Sequence, residues 1–214
     1  MARILVLGGT GYAGANIVAE AAARGHEVVS VSRTLPASPV DGVDYRSISV
    51  LEDGALDAAV AEADVVISAI APRGELEGAT RGVLATVASL AAAGGTRFGV
   101  IGGAGSLHVA EGGPRVIDTE GFPEAYKPEA LEMTAVLDDL RASDEALDWF
   151  FVSPAGAFGG FNPGERLGRY RVGGDVLIVD DEGRSDISGA DLAIAIVDEL
   201  ERPAHRRARF TVAY

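Results

Sequence analysis

Three glycines, Gly8, Gly11 and Gly14, recur at every third position directly after the apolar run of residues 4–7. Regular glycine of this kind suits a backbone that must turn tightly or be approached closely. In the pattern of a dinucleotide-binding turn, Gly8 makes the sharp exit from a strand, Gly11 leaves space for a pyrophosphate, and Gly14 lets a helix pack closely on the sheet. Thr10 lies inside the turn, and N–H groups at the helix start, from about Tyr12 and Ala13, would point at the phosphates. Arg33 carries a planar guanidinium suited to a phosphate fork. Ser106, His108 and Tyr126 are polar groups of the kinds that donate protons or hydrogen bonds beside a reacting atom.

These residues can act together only if strands and helices bring them to one place. Glycine spacing alone would carry little weight in a chain with 28 glycines, but its context is a short apolar strand before it, a helix at residues 13–24 and a second strand at 26–32. That completes a βαβ unit of the expected length. A loop with Pro36 and Pro39 follows, then a weak third strand at 43–48 and a helix at about 52–61. The β-branched run 63–70 is a clearer strand, and beyond the break Pro72-Arg73-Gly74 an alanine-rich helix is expected at 75–93. A fifth strand at 97–101 leads into the glycine loop 102–106. Pro128 opens a helix over 129–142, and a sixth strand spans 148–152. The Gly/Pro-rich region beyond predicts a small hairpin with 176–179 as one arm, Ser188 to Asp191 predicts a capping box for a helix to Glu201, and 210–213 predicts a final edge strand.

Strands alternating with helices predict an α/β fold with a doubly wound parallel sheet of Rossmann type, one domain over 1–214 with a small C-terminal substrate-side region. Ligands then lie outside the carboxyl ends of the strands, near the switch in strand order. Four stretches converge there: the glycine turn, Ala69-Ile70-Ala71, the loop containing Gly103 and Ser106, and Ser153-Pro154-Ala155. The residue ending the second strand chooses between nicotinamide cofactors, since a carboxylate accepts from a ribose 2′-OH whereas arginine pairs with a 2′-phosphate. Here it is Arg33, flanked by the hydroxyls of Ser32 and Thr34, so NADPH is expected, with NADH second.

Composition narrows the classes. With 48% hydrophobic and 23% charged residues the 214-residue chain is expected to fold rather than stay disordered. A formal charge of -14 disfavours nucleic acid and anionic membrane as partners, leaving a small-molecule substrate. No cysteine is present, and no His/Asp/Glu cluster has metal-ligand spacing, so no metal is expected. Met1-Ala2-Arg3 runs directly into the first strand, and no apolar run approaches membrane-spanning length, which predicts a cytoplasmic protein. Oligomeric state is open.

Five stretches together resemble the atypical short-chain dehydrogenase/reductases, within them the group provisionally called NADH-flavin reductases or NAD(P)H-binding proteins. They are Gly8 to Gly14, Asp64 to Ala69, Ile101 to Leu107, Gly121 to Pro128, and Ser153 to Ala155. The resemblance implies that Ser106 stands beside the reacting centre, donating to a flavin carbonyl or to the cofactor carboxamide, the alternative being a serine that caps the backbone of its own loop, and that Pro154 and Ala155 place backbone groups on that carboxamide. The chain also departs from the wider family, whose reductases carry Tyr-x-x-x-Lys. Four residues beyond Tyr126 stands Ala130, and the sole lysine, Lys127, is adjacent to the tyrosine and cannot share its helix face. An unassisted tyrosine, with a pKa near ~10, protonates a ketone oxygen poorly at neutral pH. A flavin relieves that difficulty because it delocalises the charge it gains. The stretch after Val152 is also short for the larger lobe of sugar-nucleotide epimerases. The expected activity is hydride transfer from NADPH to FMN, another flavin or a similar planar acceptor such as a quinone, as a diffusing substrate. A carbonyl reductase or epimerase using Ser106 and Tyr126, and a redox sensor without turnover, are the alternatives. His108 is either a proton source or incidental, and Tyr126 either lines the pocket or fastens its loop.

Overall fold

Apolar runs in this chain become strands covered on both faces. The computed structural model describes residues 1–214. Strand β1 (Arg3–Leu7) leads into α1 (Tyr12–Ala23), then β2 (Glu27–Ser32) and β3 (Asp44–Ser47). The chain continues through α2 (Asp57–Ala61), β4 (Val65–Ser68), α3 (Thr80–Gly94) and β5 (Arg97–Ile101). Then come α4 (Lys127–Arg141), β6 (Trp149–Pro154), β7 (Arg171–Gly173), α5 (Gly189–Glu201) and β8 (Ala208–Ala213). One sheet results, in the order β3-β2-β1-β4-β5-β6-β8-β7, parallel except for the β7–β8 pair.

The alternation of side chains along β1 divides the core in two. Leu5 and Leu7 pack with residues of α2, α3 and α4 on one face, while Ile4 and Val6 pack with α1 and α5 on the other. Strand order reverses between β1 and β4, so the glycine turn leaving β1 opens at the switch point.

Four expectations are corrected. The expected helix over 52–61 shortens to α2, because Gly54 sits at φ +72° inside a turn. The expected helix from 75 starts only at Thr80, because Gly74 and Gly78 take positive φ and leave a 3-10 turn at Gly74–Leu76. No hairpin forms with 176–179. Val176 makes a single parallel bridge to His108, and it is β7 that pairs with β8. The last strand is therefore not an edge. β8 lies between β6 and β7 with Phe210, Val212 and Ala213 buried, while Val172 of β7 is half exposed at the true edge.

At the start of α5 the Ser188 Oγ accepts from the Asp191 N–H at 3.0 Å, one half of the expected capping box. The other half is diverted. Asp191, fully buried, accepts from the backbone N–H groups of Leu167 and Gly168 at 2.8 Å each and from the Tyr214 hydroxyl, tying the C-terminal segment to the helix.

Candidate active site

The glycine turn is built as its residue types require. Gly8 has φ +79°, a conformation L side chains rarely adopt, and its N–H donates to the Val31 carbonyl at 2.8 Å. A Cβ on Gly14 would lie 2.2 Å from the Gly8 carbonyl oxygen, so only glycine lets α1 pack this close. A Cβ on Gly11 would meet only that same oxygen, at 3.3 Å, leaving its outer side open. Thr10 N–H donates to Ser32 Oγ at 3.1 Å, and Ser32 in turn donates to the Val31 carbonyl at 2.8 Å. Ser32 thus anchors the turn to β2.

A cavity of about 450 Å³ opens over the turn at the carboxyl ends of the strands. Gly8, Thr10, Gly11, Tyr12 and Ala13 line it from the turn, and Arg33 and Thr34 from the end of β2. Ala69, Ile70 and Ala71 after β4, Gly103 after β5, and Pro154 and Ala155 at the end of β6 complete the wall. The structure thus brings these expected residues together, with Gly14 packed beneath the turn rather than on the cavity surface. The cradle fits a dinucleotide: a Cβ on Gly103 would meet nothing within 4 Å, and the helix start at Tyr12 and Ala13 forms part of the wall. The Tyr12 side chain is committed elsewhere, its hydroxyl donating to the Pro163 carbonyl and accepting from the Gly189 N–H, its ring 5.3 Å from that of Phe158. Arg33 is ion-paired with Glu75 at 2.7 Å, and both side chains are largely exposed.

A second cavity, of about 380 Å³, adjoins the first and shares Arg73, Gly103, Ala104, Glu129, Gly156 and Phe158 with it. Ser106 and Tyr126 border only this second space, together with Phe122, Phe161 and Met133. Tyr126 is half exposed at the start of α4. Lys127 turns to Glu124 at 2.5 Å, and Ala130 packs against the loop at Gly105, so no cation follows the tyrosine by one helical turn. Ser106 is buried, its Oγ accepting from Arg209 Nη1 at 3.3 Å, and the same nitrogen lies 3.3 Å from Ser153 Oγ.

Sequence reasoning missed three participants. Arg73 forks onto Glu129 at 2.6 and 3.0 Å across the junction of the two cavities, and that carboxylate raises the guanidinium pKa further. Arg209 is buried inside β8. Burial pushes its pKa down, opposed by Asp175. The one charge in a mostly apolar strand, Ala208-Arg209-Phe210-Thr211-Val212, was the available signal. The aromatic wall of Phe122, Phe158 and Phe161 comes from loops whose convergence has no local signature. His108 borders neither cavity. Its Nδ1 lies 2.7 Å from the Gly113 carbonyl, and its backbone pairs with residues 175–177. Arg166 pairs with Glu20 at 2.6 Å and Arg171 with backbone carbonyls, both away from the cavities.

A glycine turn at the switch point of a doubly wound parallel sheet is the arrangement that binds dinucleotides, and it places this chain among the dinucleotide-binding proteins. Residues 8–203 match the NAD(P)H-binding family, and the chain belongs to it. The Bacillus subtilis protein YwnB is 40% identical over 216 residues, covering 98% of this chain and 97% of its own. A solved protein from Burkholderia pseudomallei, provisionally described as exported, is 41% identical, covers 100% of both chains and superposes with a TM-score of 0.87. Another from Streptococcus pneumoniae, provisionally named an NADH-flavin reductase, is 35% identical, covers 100% of this chain and 99% of its own, and has a TM-score of 0.84. No helix is long and apolar enough to cross a membrane.

Proposed function

We propose that this oxidoreductase passes hydride from NADPH to a flavin or similar planar acceptor that diffuses into the second cavity. The observation that carries the reading is the adjoining pair of cavities, one over the glycine turn and the other walled by Phe122, Tyr126, Phe158 and Phe161. When bound, the reduced nicotinamide supplies the hydride. The glycine turn and the start of α1 would hold the pyrophosphate, Arg33 and Thr34 the 2′-phosphate, and Ala69 to Ala71, Gly103, Pro154 and Ala155 would frame the nicotinamide end. An acceptor that delocalises the charge it gains asks the chain mainly to stack it, orient it and exclude water, which suits aromatic walls without a tyrosine–lysine acid. Ser106 donates a hydrogen bond to it.

The test is NADPH oxidation by purified protein with FMN, beside controls lacking protein or flavin and a parallel run with NADH. Saturable, protein-dependent turnover faster with NADPH is expected, and its absence in a protein that binds NADPH overturns the reading. One observation favours a second reading. Ser106 and Tyr126 border the same cavity, as a carbonyl reductase would need. Reduction of simple ketones without flavin would establish it.

A further inference from the structure

Behind Ser106 lies a buried charged cluster that the reading above leaves unused. Arg209 is enclosed by β6 and the Ser106 loop, its side chain only 2% exposed. Its Nε donates to Asp175 at 2.6 Å and its Nη2 to the same carboxylate, which fixes the plane of the guanidinium from the outer side. Asp175 is held in turn by Arg141 at 3.1 Å. Its segment is sewn to the Ser106 loop through His108, whose N–H donates to the Asp175 carbonyl and whose carbonyl accepts from Leu177, both at 2.8 Å. With its outer edge so pinned, Arg209 turns Nη1 inward, 3.3 Å from both Ser106 Oγ and Ser153 Oγ.

A guanidinium is a donor only, whereas a serine hydroxyl has one hydrogen to give and lone pairs to receive. Arg209 therefore makes Ser106 an acceptor on its protein side. The Ser106 hydroxyl makes no other hydrogen bond within the protein, and the residue borders the second cavity. We propose that Arg209 is a positioning residue for this cavity: it occupies the acceptor side of Ser106, so that the hydroxyl hydrogen faces the cavity and selects ligands carrying a hydrogen-bond-accepting oxygen or nitrogen. The proposal rests on the second cavity being the acceptor's place, and it narrows the acceptor to rings bearing a carbonyl or an unprotonated ring nitrogen.

The test uses the full chain without reduced cofactor, so that no turnover occurs. Equilibrium dialysis gives the dissociation constants of 1,4-naphthoquinone and of naphthalene, which share a ring system and differ in the acceptor oxygens. No cysteine is present to react with the quinone. The quinone-to-hydrocarbon preference is expected to fall roughly three- to tenfold in Ser106→Ala, as for one lost hydrogen bond. Arg209→Met should lower it by a similar factor, the double variant by no more than either, and Arg209→Lys should recover part of it. A merely structural role would weaken both ligands alike and leave the ratio unmoved. An unchanged ratio in folded Arg209→Met overturns the proposal, as does failure of wild-type protein to bind either probe. Where Arg209→Met does not fold, Asp175→Ala removes the exposed acceptor that pins the same guanidinium, and an unchanged ratio there overturns it equally. Lack of NADPH oxidation with FMN would sink the flavin reading while leaving this ratio readable.

Discussion

Gly11 and Gly14 belong to one motif yet differ in what a side chain would do. At Gly14 a Cβ would meet backbone at 2.2 Å, so Gly14→Ala must displace the turn or the helix, and overpacking of this kind costs about 1–3 kcal/mol. Gly11 has only one neighbour, the Gly8 carbonyl oxygen at 3.3 Å, which must give by only a few tenths of an ångström, so Gly11→Val should cost less stability than Gly14→Ala and fill the space expected for the pyrophosphate. Titration of both variants should show Gly11→Val losing NADPH and NADH alike by more than roughly tenfold, about 1.4 kcal/mol. Retained binding in that variant would remove the phosphate role of the turn. Arg33 already has an anionic partner in Glu75, which a 2′-phosphate would have to displace. Arg33→Ala should weaken NADPH roughly ten- to a hundredfold, as for a lost charge-assisted bond, with little change for NADH. Glu75→Gln should tighten NADPH only roughly two- to fivefold, because exposed pairs are weak. Equal effects on the two cofactors would reassign Arg33 to the surface.

At the scale of elements, α5 shows how a local signal is read correctly and then used differently. The Ser188 cap was legible from residue type and spacing. That Asp191 gathers Leu167, Gly168 and Tyr214 was not, since those partners lie far along the chain. Burial alone would raise the Asp191 carboxyl, but these donors outweigh it and hold the pKa below its ordinary 3.8. Asp191→Ala would leave two backbone N–H groups and the hydroxyls of Ser188 and Tyr214 without their acceptor, and should destabilise by roughly 3–5 kcal/mol in urea unfolding. A loss under 1 kcal/mol would mean that water replaces the carboxylate. In α4 the element itself decides the chemistry. Tyr126 and Lys127 are neighbours at its first turn, so helical geometry sends Lys127 to Glu124, away from the tyrosine.

The whole molecule carries excess acid, and several carboxylates are built into its interior. Burial would raise the Glu199 carboxyl, but Arg97 at 2.6 Å and the His205 N–H and ring outweigh that and hold it below its ordinary 4.5. Asp191 and Asp198 are likewise held below 3.8. A carboxyl lowered in the folded state contributes stability that is fully present above its unfolded value and is lost as pH falls through the lowered one. Stability should therefore hold between pH 5 and 7 and fall steeply below about pH 4. Urea unfolding across that range should show Glu199→Gln weaker at pH 7, where Arg97 loses its buried partner, and less steep in acid. An unchanged acid slope would place the protons elsewhere.

Strand–turn–helix identity, the glycine cradle, Arg33 at the end of β2 and the gathering of four loops at the sheet's edge were determined by the sequence, because each follows from local periodicity, backbone sterics or the handedness of parallel connections. The hairpin and edge strand were misassigned because pairing partners for short strands are chosen by burial across the sheet, and β8 is apolar enough to be covered on both sides. Only the tertiary structure decided that Arg73 meets Glu129 between two cavities and that Arg209 reaches Ser106 from the far end of the chain. Contacts between residues so distant in sequence leave no spacing to read. The Arg209 contacts exist because a guanidinium enclosed in the core must find partners there, whereas the more exposed Arg73–Glu129 pair meets because the fold sets the start of α4 beside the connection between β4 and α3.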